Sequence, residues 1–188
     1  MTDDRGSVLL ALARASIATA LGQTCFADQS APWLRDKRAC FVTLKQGGEL
    51  RGCVGDIEAR RSLLESVTTA ACAAAFEDPR FPPLRTSELA NIRIEVSLLS
   101  ALEPMAALSE VEALRQIRPH VDGLLLESGR RRGIFLPQVW DSAPKAQDFL
   151  GLLKLKAGLP ADFWSDEIRL YRFQVVKCSE PEIRGTVH

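Results

Sequence analysis

ACFVTLKQGGELRGCVG, residues 39 to 55, is the stretch on which the reading of the fold turns. Two strand-like runs, ACFVTLK and ELRGCVGDI, flank Gln46-Gly47-Gly48, and a short loop containing glycine between such runs reads as a β-hairpin. Its second run is unusual. Gly52 and Gly55 leave gaps where a strand would carry bulk, and glycine inside a strand marks a bulge or the close approach of a ligand or another backbone.

Outward from the hairpin, the apolar positions Val8, Leu9, Leu12, Ile17 and Leu21 recur at helical spacing, which predicts a helix from Asp3 to Leu21 with Gly22 as its stop. After the hairpin, Ser62 and Glu65 have capping-box spacing ahead of an alanine-rich helix ending near Glu77. DPRFPPL then breaks the helix, because consecutive prolines remove donors and hold the chain extended. In NIRIEVSLLSAL, Ile92, Ile94, Val96 and Leu98 alternate with Arg93, Glu95, Ser97 and Leu99, the pattern of a strand with one core face. Ser109 and Glu112 open a short helix to about Ile117. GLLLES and GIFLPQV form a second hairpin around GRRR, AQDFLGLLKLKA follows Pro144 as a helix stopped by Gly158, and IRLYRFQVVK is one last strand. The order β-β-α-β-α-β-β-α-β predicts an α+β or mixed α/β fold, a largely antiparallel sheet flanked by helices. Without repeats or a long linker, residues 1–188 read as a single domain, two lobes at most.

The chain has 188 residues, 46% hydrophobic and 26% charged, which suits a folded soluble protein rather than a disordered one. With 24 basic and 24 acidic residues the net charge is zero, so no global field recruits nucleic acid or an anionic membrane. No apolar run reaches membrane-spanning length and the N-terminus does not resemble a signal peptide, so a cytoplasmic location is expected. The five cysteines, at 25, 40, 53, 72 and 178, form no C-x-x-C pair and are expected to be reduced thiols. His120 and His188 are the only histidines; no zinc spacing exists, and neither metal nor other cofactor is expected.

LRGCVG at 50 to 55, AAFEDPRFPPL at 74 to 84, EVSLLS at 95 to 100, GIFLPQV at 133 to 139 and KAGLP at 156 to 160 together resemble the AMMECR domain family, in order and spacing, over roughly residues 8 to 180. The resemblance implies a sheet-and-helix body, a smaller lobe and a cleft between them near the R-G-C segment. It names no reaction. It also implies possible pathway partners, because prokaryotic relatives occur alongside Memo-like and radical-SAM-like proteins. Two positions depart from the family pattern: Val54 stands where isoleucine is typical, and Lys154 where relatives often carry cysteine.

Strand alternation places Arg51, Cys53 and Gly55 on one face unless Gly52 introduces a bulge. A guanidinium beside a thiol favours the reactive thiolate, and Gly52 and Gly55 would leave room for a ligand. The competing reading makes Cys53 a small buried hydrophobe and the glycines a bulge. Glu95 is a candidate acid or base, or a cross-strand partner of Arg51. His120, in the turn RPHVDG, is a candidate base for Cys53 or a solvated surface residue. Arg80, stiffened by Pro79 and the following prolines, could clamp a carboxylate or phosphate or pair with Asp78. Gln138 is a possible substrate contact, and the Arg130 to Arg132 turn lacks the aromatic neighbours that base stacking requires. The leading expectation is an enzyme in which Cys53 acts on a small anionic metabolite held by Arg51, Gly52, Gly55, Arg80 and Gln138. The alternative is a protein- or peptide-binding adaptor.

Overall fold

Val42 and Leu44 are wholly buried, as are Ile92, Ile94 and Val96, and this apolar stripe on two neighbouring strands gives the first half of the chain its core. The computed structural model describes residues 4–182, so Asp3 and His188 lie outside it. Strands β1 (Cys40–Gln46) and β2 (Glu49–Gly55) form the hairpin, turning through Gly47 and Gly48 at φ 59° and 89°, the left-handed region that glycine enters without a Cβ clash. Strand β3 (Ile92–Leu99) pairs antiparallel with β1, and β8 (Val175–Ser179) completes a four-stranded sheet of order β2-β1-β3-β8.

Helices α1 (Asp4–Ala20) and α2 (Leu63–Phe76) carry the facing apolar residues, Leu9, Leu12 and Ile17 from one and Leu63, Val67 and Ala71 from the other. The Ser62–Glu65 capping box forms as its spacing predicts. Small residues on α2 let it lie almost on the sheet. A Cβ at Gly52 would meet the Ala74 carbonyl oxygen at 2.1 Å, so this glycine is required by a helix backbone. Gly55 answers to another neighbour, because a Cβ there would meet the Cys40 carbonyl oxygen at 2.3 Å and the Phe41 side chain at 2.5 Å.

The chain divides into two units: residues up to Leu99 together with those from Val176 onward, and Ser100–Val175. The second unit has its own core around Trp140, Phe149, Leu150, Leu153, Leu124 and Leu126, with Trp140 stacked on Phe149 at 3.8 Å between ring centroids. Its sheet, order β4-β7-β5-β6, contains β4 (Glu103–Met105), β5 (Gly123–Ser128), β6 (Arg131–Phe135) and β7 (Arg169–Phe173), packed with α3 (Glu110–Gln116) and α4 (Ala146–Lys156). Helices and antiparallel sheets in both units make the fold α+β.

Three element boundaries differ from the sequence reading. The strand β4 has only three residues, too short for a periodicity signal. Arg131 and Arg132 lie within β6, while Pro137, lacking an N–H for the ladder, ends that run and starts a 3-10 turn over Pro137–Asp141. IRLYRFQVVK is two strands in two different sheets, β7 and β8. Between them, Gln174 accepts from the Ser100 backbone N–H at 2.9 Å and donates its own to the Ser100 hydroxyl at 2.9 Å, which joins the two ends of the second unit.

Candidate functional site

The hairpin register fixes which side chains share the face opposite α2. Leu44 faces Gly52 and Lys45 faces Leu50, which leaves Arg51 as an extra residue, a β-bulge. The bulge removes Arg51 from the alternation that would have placed it beside Cys53. Its buried guanidinium instead grips Glu88, Nε to Oε1 at 2.9 Å and Nη2 to Oε2 at 3.2 Å. Those hydrogen bonds, despite burial, hold the Glu88 carboxyl below its ordinary range.

On that face, Cys53, Thr43 and Glu95 stand opposite one another on β2, β1 and β3. The half-buried thiol receives a hydrogen bond from the Thr43 hydroxyl at 3.2 Å. Glu95, only 5% exposed, accepts from Lys45 Nζ at 3.1 Å, and Lys177 Nζ of β8 lies 3.8 Å from its other oxygen. Burial alone would raise the Glu95 carboxyl. The Lys45 hydrogen bond, with the charges of Lys177, Lys45 and Arg93, outweighs it, so Glu95 is held below its usual value and stays ionised. Glu95 therefore pairs with lysines and not with Arg51. A thiol, a hydroxyl, a carboxylate and an ammonium form one line across four strands.

β2 is an edge strand, and the turn after α2 occupies the place of a further neighbour at Cys53. Asp78 Oδ2 accepts from the Cys53 backbone N–H at 2.9 Å, and Arg80 Nη2 donates to the Cys53 carbonyl oxygen at 3.4 Å. Two side chains thus satisfy the outward donor and acceptor that an edge exposes. Asp78 also accepts from Arg80 Nε at 3.0 Å, Nη2 at 2.7 Å and backbone N–H at 3.1 Å. The Arg80 hydrogen bond, ahead of those from the backbone, holds the Asp78 carboxyl well below the usual carboxylate range.

His120 and Gln138 belong to the second unit. His120 sits at φ 63° in an exposed turn with its ring 6.1 Å from that of Trp140, and Gln138 is exposed on the 3-10 turn after β6. Lys154 is fully buried on α4, donating to Glu110 at 2.8 Å and to the Ala161 carbonyl at 2.9 Å, so it ties α4 to α3. Among the described residues, no group of three or more His, Cys, Asp or Glu is arranged to hold a metal ion, and no helix is long and apolar enough to cross a membrane.

The AMMECR1 family profile matches residues 10–178. The chain belongs to the AMMECR1 family. It is similar to a protein of Methanothermobacter thermautotrophicus, 40% identical and covering 93% of each chain, and to Protein MJ0810 of Methanocaldococcus jannaschii, 39% identical and covering 100% of this chain and 96% of the relative. The crystal structure of uncharacterized protein PH0010 from Pyrococcus horikoshii superposes with a TM-score of 0.84 at 33% identity, covering 100% of this chain and 97% of that one.

In this AMMECR1-family chain the structure brings together Cys53, Glu95 and, through its backbone bond, Arg80. Thr43, Lys45, Lys177 and Asp78 complete the surroundings, and sequence reasoning did not single them out as site residues. The alternation in ACFVTLK, with Val42 and Leu44 on one face and Thr43 and Lys45 on the other, is the signal that could have found two of them.

Proposed function

We propose that this chain uses the Cys53 thiol in chemistry on a small anionic metabolite, with the lysines beside Glu95 supplying positive charge. The observation that carries the reading is the Thr43 hydroxyl aimed at the sulfur within a partly open polar row. A hydroxyl donor can solvate negative charge on sulfur during attack on an electrophilic carbon. The ionised Glu95 keeps Lys45 and Lys177 directed at the row.

Iodoacetamide labelling of the native protein at neutral pH, mapped by mass spectrometry, tests this. Cys53 is expected to react fastest of the five thiols and Cys40 slowest, since burial pushes the latter up to about 12. Thr43→Val should slow Cys53 labelling roughly fivefold, the equivalent of a hydrogen bond worth about 1 kcal/mol. Labelling of Cys53 no faster than Cys25 or Cys178 removes the reading.

A second reading has its own observation. Within the second unit, Val111, Leu152 and Leu155 are exposed around a groove of about 800 Å³ between α3 and α4. Exposed apolar patches of this kind mark binding surfaces, and here the chain would act as an adaptor for a protein such as the Memo-like partner that the family resemblance suggests. If Leu155→Glu abolishes capture of a purified Memo-like protein while Cys53→Ser retains biological activity, the adaptor reading replaces the enzyme.

A further inference from the structure

Arg51 and Arg80, the two arginines that the sequence reading placed around Cys53, pair with Glu88 and Asp78, Arg51 through Nε and Nη2 while its Nη1 is buried without a hydrogen-bond partner. With both guanidiniums paired to carboxylates, further positive charge for an anionic molecule lies elsewhere on the face that carries Cys53. Next to the Cys53–Thr43–Glu95 row lies the row Lys45 and Arg93, directly opposite each other on β1 and β3. Like charges in that position repel and destabilise a sheet. Glu95 relieves part of this, but it is shared between Lys45 and Lys177.

A cavity of about 390 Å³ opens over this row, lined by Lys45, Arg93, Asn91, Gly47, Gly48 and Glu182. Arg93 is positioned by a 2.6 Å bond from Nε to the Glu180 carbonyl oxygen, while its Nη1 lies 3.8 Å from the carboxylate of Glu182, which is 85% exposed. That separation is an ion pair without a hydrogen bond, which a ligand oxyanion could displace. Neither Gly47 nor Gly48 would place a Cβ within 4 Å of anything, so the hairpin backbone leaves the cavity mouth open.

We infer that Lys45 and Arg93, with the Asn91 amide and the Gly47-Gly48 turn, form an oxyanion subsite that binds a carboxylate or phosphate group of the substrate. Residues two apart on a strand lie about 7 Å from one another, so Lys45 is one pleat from Thr43, the partner of the Cys53 thiol. A molecule of a few carbons, charged at one end and electrophilic at the other, spans that interval. The inference rests on the thiol reading for its place in a reaction, though binding itself is measured separately.

Isothermal titration of the full chain with inorganic phosphate, pyrophosphate and succinate, at constant ionic strength, tests it. At least one probe should bind saturably below about 1 mM, with Lys45→Met and Arg93→Met each weakening it about tenfold and Arg115→Met, in the second unit, leaving it unchanged. Melting curves establish that each variant is folded; should a Met variant be unfolded, Lys45→Gln or Arg93→Gln takes its place. No saturable binding of any probe up to about 10 mM, or equal weakening by Arg115→Met, overturns the inference. Rapid iodoacetamide labelling of Cys53 with no anion binding overturns the subsite and leaves the thiol reading standing. Binding that is lost in Lys45→Met and Arg93→Met alongside an inert Cys53 supports the subsite and removes the thiol reading.

Discussion

Asp78 concentrates more structure in one carboxylate than any other residue near the site. It accepts from two backbone N–H groups, those of Cys53 and Arg80, and from the Arg80 guanidinium, while its own side chain is only 3% exposed. Asp78→Asn should cost about 1–3 kcal/mol in urea denaturation, the penalty for weakening buried, charge-assisted hydrogen bonds. The pH dependence has a definite sign. The folded carboxyl titrates well below its unfolded value, so its contribution is complete above the ordinary carboxylate range near pH 4 and is lost as pH falls through the depressed value. The stability difference between native and variant should hold steady from pH 5 to 8 and shrink below about pH 4. Sequence reasoning saw Asp78 only as a possible partner of Arg80. Its bond to Cys53 crosses twenty-five residues and depends on β2 being an edge, which no local pattern records.

Among the elements, the glycines separate two kinds of legibility. Their presence in β2 showed that something approaches closely, but whether ligand or backbone depended on where α2 would lie. Gly52→Ala would drive a Cβ into the backbone of α2, a rigid neighbour, and should destabilise by roughly 3 kcal/mol or more in thermal or urea melts. A Cβ at Gly151, inside α4, would meet the Ala161 side chain at 3.7 Å and its carbonyl oxygen at 4.0 Å, both ordinary contacts. Gly151→Ala should therefore raise stability, by up to about 1 kcal/mol, through helix propensity. The capping box at Ser62 was readable because both partners lie within four residues. The glycines of β2 pointed to a bulge as one reading, but its place at Arg51 was not readable, because it is defined against the pairing of β1 and β2. The α+β class and most strands followed from alternation, whereas β4 and the break at Gln174 did not.

At the scale of the molecule, two hydrophobic clusters serve the two units, one built around Leu9, Val67 and Ile94 and the other around Phe149, Leu153 and Trp140. Leu153→Ala removes a wholly buried side chain and should cost about 2–5 kcal/mol. Hydrogen exchange should locate the loss, with amides of α4 and β5–β7 exchanging faster and those of α2 and β1 unchanged; equal acceleration in both sets would show that the two cores yield together. The sequence allowed two lobes without showing that residues 100–175 interrupt the first unit, because the run IRLYRFQVVK has no compositional seam where the chain changes sheets.

That interruption sets a timetable on the ribosome. The strand β8, with Glu180 just beyond it pairing Arg14 of α1, is synthesised only after residues 100–175, yet it flanks β3 in the first unit. While residues 100–175 are translated, at roughly 5–20 residues per second, one border of β3 waits several seconds without its final partner. The nascent chain must therefore carry an incomplete first sheet while residues 100–175 are still being made, an interval in which chaperones or premature strand addition have their opening.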